Sequence, residues 1–172
     1  RRTALIHQKN QLIQHYSAMG NVLMGRIPHR PTWRSLLPWS DEDKRIALDC
    51  LDRVGLLKKA RIPIMHLNPR QQQLVNFARA LAQQPAIILA DEPVRGFDPT
   101  TSEGLLALLK KVCEDQNISL IVSLHQAELA KNFADRIICI SQGLVVSDGV
   151  PEDITMEKLR IIYGTNYKVP QY

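Results

Sequence analysis

Two continuous apolar runs constrain this chain more than any other feature: Ala86-Ile87-Ile88-Leu89-Ala90 and Ile118-Ser119-Leu120-Ile121-Val122-Ser123-Leu124. Short runs without polar alternation mark strands covered on both faces, as in parallel sheets. Between them, residues 101–115 carry Leu105, Leu108, Leu109 and Val112 at helical spacing. A short helix is expected after His125, then strands over 136–140 and 144–147 joined by a Gln142-Gly143 turn. Pro151 is expected to open a last helix ending near Tyr163-Gly164. The second half therefore reads as α/β.

The first half reads differently. From 10 to 84 the pattern is helical, with Ser40 as N-cap before Asp41-Glu42-Asp43. Ile46, Cys50 and Val54 then recur at helical spacing, with Leu51 and Leu57 beside them. Residues 28–39 hold three prolines and the indoles Trp33 and Trp39, a loop with two apolar anchors. A further helix over 69–83 places Leu74, Phe77, Ala78 and Leu81 on one face. The chain is thus an α/β sheet with a helical insertion before most of its strands.

Composition excludes several classes. Hydrophobic residues at 45% and charged residues at 23% argue against disorder. No stretch reaches the roughly 18 consecutive apolar residues of a membrane helix, and no apolar signal segment follows Arg1-Arg2. Cys50, Cys113 and Cys139 are widely spaced and odd in number, which suits a reducing compartment rather than a disulfide scaffold or a local zinc site. Residues 1–85 carry 14 Lys/Arg against 5 Asp/Glu, and residues 86–172 carry 8 against 12. The basic half could meet nucleic acid or an anionic membrane surface. Its charges are scattered, however, and aromatics for base stacking are only 5%, so a solvated face is the better reading.

The chemistry gathers at strand ends. Asp91 and Glu92 close the first apolar run, at the strand edge where open α/β sheets bind ligands. An aspartate there can hold Mg²⁺ through water, and the next glutamate can polarise an attacking water. Two carboxylates ending a strand would be unremarkable alone. His125 at the end of the next strand brings a second polar group to the same edge, and the combination is what is specific.

At these residues the chain resembles the ATPases of ABC transporters. Asp91-Glu92-Pro93 is similar to the Walker B end, Gly96-Phe97-Asp98-Pro99 to the D-loop, and Ser123-Leu124-His125-Gln126 to the switch histidine. Ile6-His7-Gln8 resembles the strand and glutamine of the Q-loop, and Gln71-Gln72-Gln73 with Phe77-Ala78-Arg79-Ala80-Leu81 the helix after the signature motif. The Trp33–Trp39 segment and the tail from Asp148 to Gly164 look most like the phosphonate-import branch. The resemblance implies a P-loop NTPase fold, α/β with a mostly parallel sheet and a helical subdomain. Residues 1–9 would be a strand and Q-loop, 10–85 the helical signature subdomain, and 86–172 the remaining core.

It also implies roles. ATP and Mg²⁺ would be used, with Asp91 supporting the metal, Glu92 orienting or deprotonating water, and His125 touching the γ-phosphate. Gln8 would approach metal and water while sensing a membrane permease, and Asp98 would reach across a dimer with a second ATPase subunit. The location implied is cytoplasmic, at the inner face of the membrane.

Two departures qualify this. None of the eight glycines is followed by lysine, so the GxxxxGK[ST] phosphate loop is missing. The family carries that loop upstream of the Q-loop, so the chain is expected to be truncated before Arg1 and inactive by itself. The signature, LSGGQ in the family, reads Leu67-Asn68-Pro69-Arg70-Gln71, with a residue lacking an N–H and a bulky one where bare backbone should approach phosphate. A pseudo-ATPase retained for binding or assembly is therefore the alternative, and a nucleic-acid binder the remote one. The family's phosphate-loop strand lies between the strand ending at His125 and that at 136–140. The gap must be filled by a supplied strand, from an upstream segment or a partner chain, or closed by direct pairing of 118–124 with 136–140, or the chain stays marginal and aggregation-prone; the expectation here is a supplied strand.

Overall fold

A computed structural model describes residues 3–7, 11–30 and 38–163. Gln8, Trp33 and the expected tail at Gly164 lie outside the described residues. Strands β1 (Thr3–Ile6), β2 (Ile87–Asp91) and β3 (Ser119–Ser123) form one sheet in the order β1-β2-β3. All pairs are parallel, running from Thr3↔Ile87 to Ile6↔Ala90 and from Ile87↔Ser119 to Asp91↔Ser123.

The connection from β1 to β2 holds helices α1 (Ala18–Met24), α2 (Asp41–Arg53) and α3 (Pro69–Leu81). Ser17 and Ser40 cap α1 and α2 by accepting the N–H groups of Gly20 and Asp43. The α3 helix is the most deeply buried, presenting Leu74, Val75, Phe77, Ala78 and Leu81 to its neighbours. It lies against α1 so closely that a Cβ at Gly25 would collide with the Arg79 carbonyl. Leu57, grouped with the α2 face in the sequence, is 43% exposed, because α2 ends at Arg53 and the next turn rotates it outward.

A buried polar knot ties the ends of these helices. Arg26 donates to Asp43 Oδ1 at 3.0 Å, to the Ala82 carbonyl at 2.9 Å and to Gln84 Oε1 at 2.8 Å. The Ser40 hydroxyl donates to the other Asp43 oxygen at 2.7 Å. Nearby, the Arg30 guanidinium lies 4.4 Å from the Trp39 ring centroid, a cation–π contact that gives this indole its anchoring role.

After β2 come α4 (Pro99–Asp115), β3, α5 (Ala127–Phe133), then the antiparallel pair β4 (Ile137–Ser141) and β5 (Leu144–Gly149), and α6 (Met156–Tyr163). The β4–β5 turn uses Gln142 and Gly143 at φ 50° and 80°, the left-handed pair a tight hairpin needs. Pro151 opens only a single 3₁₀ turn, and the last helix begins at Met156. One continuous apolar core joins the three helices of the first half to α4 and one face of the sheet, through Ile6, Ile88, Phe77 and Leu105.

One expectation about the strands is corrected and one alternative is not met. The apolar run at β3 is not covered on both faces: Leu120 and Val122 pack on the core, but Ile121 is 58% exposed. The cause is a one-sided sheet. Leu5, Leu89 and Ile121 stand in register across the three strands on the opposite face, and Leu5 is exposed as well. Direct pairing of β3 with β4, which the sequence left open, is not formed among the described residues; β4 and β5 make a separate two-stranded sheet. Ile138 and Ile140 of β4 are 53% and 64% exposed.

Candidate functional site at the ends of β2 and β3

The parallel register sets Asp91 opposite Ser123 at the last rung of the sheet. The Ser123 hydroxyl donates to Asp91 Oδ1 at 2.7 Å and accepts the Glu92 N–H at 2.9 Å. One hydroxyl therefore holds both acidic residues. Glu92 leaves the strand at φ 44°, a left-handed conformation that a non-glycine residue adopts at a cost of about 1 kcal/mol or more. The turn swings its carboxylate to His125, whose Nε2 meets Glu92 Oε1. Arg95 Nη1 donates to Glu92 Oε2 at 3.0 Å. Glu92 is largely covered at 16% side-chain exposure, whereas Arg95 and His125 stand out in solvent at 65% and 77%.

Of the residues singled out in the sequence, Asp91, Glu92 and His125 come together. Asp98 lies a turn beyond, as the N-cap of α4, accepting the Thr101 N–H at 2.9 Å. Hydrogen bonds from the Thr101 side chain and then its backbone N–H hold the Asp98 carboxyl below the ordinary 3.8. Asn68, Pro69, Arg70 and Gln71 lie at the start of α3. Asn68 Oδ1 accepts the Gln71 N–H at 2.9 Å, and Gln71 Oε1 accepts the Asn68 N–H at 3.2 Å, a closed capping box with Pro69 in the first turn. The N–H groups that could face an anion are thus partly spent within the helix.

Reading the sequence missed two residues of this cluster. Ser123 was visible only as part of a motif; its position opposite Asp91 in a parallel register was the available signal. Arg95 gave none, because its reach depends on the backbone turn at Glu92. Exposed Asp91 suits a Mg²⁺ ion bound mainly through water, since that ion commonly takes one or two carboxylates and keeps several waters. Among the described residues no cluster of three His, Cys, Asp or Glu could form a protein cage for a metal. The chain has no glycine followed by lysine to cradle a triphosphate.

Known proteins share much of this sequence and fold. The chain is 50% identical over 163 residues to the phosphonates import ATP-binding protein PhnC 3 of Nostoc sp. (strain PCC 7120), covering 95% of this chain and 62% of that protein. It is 51% identical over 164 residues to the phosphite import ATP-binding protein PxtA of Stutzerimonas stutzeri, covering 95% and 60%. The chain thus spans about three fifths of the length of these curated relatives. Its fold is similar to the dimeric ATP-binding cassette MJ0796 solved with ADP and Pi, with TM-score 0.68 and 32% identity over 87% of this chain and 63% of that one. A family profile described as ABC transporter matches residues 1–95, the stretch from β1 through α3 to the Glu92–Arg95 turn, and with it the chain belongs to the ABC transporter family.

Proposed function

We propose that this chain is an ATP-binding and ATP-hydrolysing segment of an ABC importer subunit for phosphonate-type solutes. The observation that carries the reading is the Ser123 hydroxyl tying Asp91 and Glu92 together, with His125 on Glu92. In this reading Asp91 supports Mg²⁺, Glu92 orients or deprotonates the attacking water, and His125 contacts the γ-phosphate. Gln8 approaches the metal and water, and Asp98 meets a second ATPase subunit. Residues 10–85 form the helical part that faces a membrane permease at the inner face of the membrane, and no described helix is long and apolar enough to cross a membrane. The solute class is inferred from the names of the relatives.

The triphosphate cradle must come from outside these residues. The edges of β3 and β4 left unpaired among the described residues, and the exposed Ile121, Ile138 and Ile140, suit an apolar strand laid between them. A segment carrying a phosphate loop is the occupant proposed, and without it the chain does not turn over ATP. A pseudo-ATPase is the second reading, favoured by the closed capping box at Asn68 and Gln71.

Hydrolysis by the chain joined to a phosphate-loop segment tests both. Turnover that falls at least a hundredfold in Glu92→Gln, with nucleotide binding retained, supports the ATPase reading. Tight Mg-ATP binding without turnover, unaltered by Glu92→Gln, supports the pseudo-ATPase.

A further inference from the structure

The two carboxylate oxygens of Glu92 have different keepers. Oε1 meets His125 and Oε2 accepts from Arg95. The Arg95 side of this arrangement is built into the chain locally. Its backbone N–H closes a turn onto the Glu92 carbonyl at 3.1 Å. Val94 is buried in the core at 7% exposure and pins that turn, and Gly96 at φ 83° reverses the chain just after it. The turn therefore brings the Arg95 backbone back beside Glu92, within reach of the guanidinium that donates to Oε2.

We propose that Arg95 is a positioning residue for the attacking water: it anchors Glu92 Oε2 so that Oε1 alone is presented when His125 turns to a phosphate. This rests on the reading of Glu92 as the group that handles the water. A carboxylate held only by His125 would be released as that histidine moved, and would rotate about its last bonds. With Arg95 in place it keeps one oxygen fixed and the other aimed. Positioning of this kind raises the fraction of encounters in reactive geometry without adding a contact to the nucleotide. Arg95 is mostly exposed, so its effect should be moderate.

The experiment is steady-state ATP hydrolysis by the chain joined to a phosphate-loop segment and assembled with a permease, in parent, Arg95→Ala, Arg95→Lys, Glu92→Gln and the Arg95→Ala/Glu92→Gln pair. Arg95→Ala is expected to lower kcat roughly three- to five-fold with the KM for ATP unchanged within twofold. Arg95→Lys should recover more than half of the loss, since one N–H donor and the charge are kept. Adding Arg95→Ala to Glu92→Gln should cost nothing further, because the arginine acts through the carboxylate. A raised KM at constant kcat would make Arg95 a nucleotide contact, and an increased kcat would make it a brake; either overturns the proposal. An unchanged Arg95→Ala in an active parent also overturns it while leaving the reading of Glu92 intact. A parent without turnover defeats that reading, and the proposal with it.

Discussion

Ser123 and Asp91, opposite each other at the last rung of β2 and β3, are joined by a 2.7 Å hydrogen bond from the serine hydroxyl to the carboxylate. The same oxygen accepts the Glu92 N–H at 2.9 Å, so the geometry of both acids depends on one side chain from a neighbouring strand.

Replacing Ser123 by alanine should therefore loosen Glu92 before it loosens the sheet. A hydrogen bond between a neutral donor and a carboxylate contributes about 1.5–3 kcal/mol, and the left-handed Glu92 backbone loses a restraint. Hydrogen exchange at the Glu92 amide should quicken about tenfold or more, and Ser123→Thr should restore most of the protection. Equal exchange in all three proteins would dismiss the bridge.

At the start of α3, the capping box and Pro69 leave few N–H groups for an anion. With a phosphate-loop segment supplied, nucleotide binding should return, but hydrolysis should remain low. Asn68→Ser, Pro69→Gly and Arg70→Gly together should raise it further by opening the helix N-terminus. The triple substitution should also destabilise α3, by about 1–2 kcal/mol, as glycines replace the first-turn proline and Arg70. If the unmodified signature supports hydrolysis as fast as the triple variant, its closure is irrelevant to turnover.

The Arg26–Asp43 pair predicts an acid limit to stability. Burial pushes the Asp43 carboxyl up, but hydrogen bonds from Ser40 and Arg26 and the guanidinium charge outweigh it, leaving the group below its ordinary 3.8. A carboxyl lowered in the folded state contributes stability that is complete above its unfolded value and is lost as pH falls through the folded one. Urea midpoints should therefore be level from pH 7 to about pH 5 as far as this pair is concerned, and should drop below about pH 4. Arg26→Ala should cost about 3–5 kcal/mol at pH 7, since it strands a buried carboxylate and the Ala82 carbonyl. In Arg26→Ala the acid-dependent drop due to Asp43 should disappear or reverse, which pH-resolved denaturation would read directly.

The free edge of β3 should be visible in solution. Only one side of that strand is paired among the described residues, so amides of 119–123 directed away from β2 should exchange fast in the isolated chain. Adding a phosphate-loop segment should slow them by at least tenfold. Strong protection in a proven monomer would mean that the edge closes by pairing not seen here.

Much of the site was legible because strand ends are marked by simple chemistry. A short apolar run followed by Asp91 and Glu92, and a second ending at His125, place polar groups at one edge whatever else the chain does. The Ser40 cap and the Leu74–Leu81 face of α3 were legible for the same reason, since caps and periodicity are local. The bare face of β3 was not. An apolar run records which neighbours a strand is suited to, and Ile121 looks the same in sequence whether or not a neighbour stands beside it. Leu106, fully buried though absent from the expected face of α4, shows a related limit: a helix packed on two sides buries a wider arc than one face predicts. Arg95 was illegible because three-residue spacing means contact in a helix, and here it operates across a turn created by the backbone at Glu92.

The parallel pairing of β1 with β2 has a consequence for how the chain tolerates change in length. Parallel neighbours require the connection from Ile6 to Ile87 to return along the whole sheet. The α3 helix, 13 residues and so about 20 Å long, is enough to make that return while packed on β1. Insertions at the exposed turn around Gly55, after α2, can be taken up at the surface without shifting the rung that holds Asp91 and Ser123. A single residue lost inside α3 cannot be, because it turns the helix by about 100° and carries Phe77 and Leu81 off the core that seats the sheet.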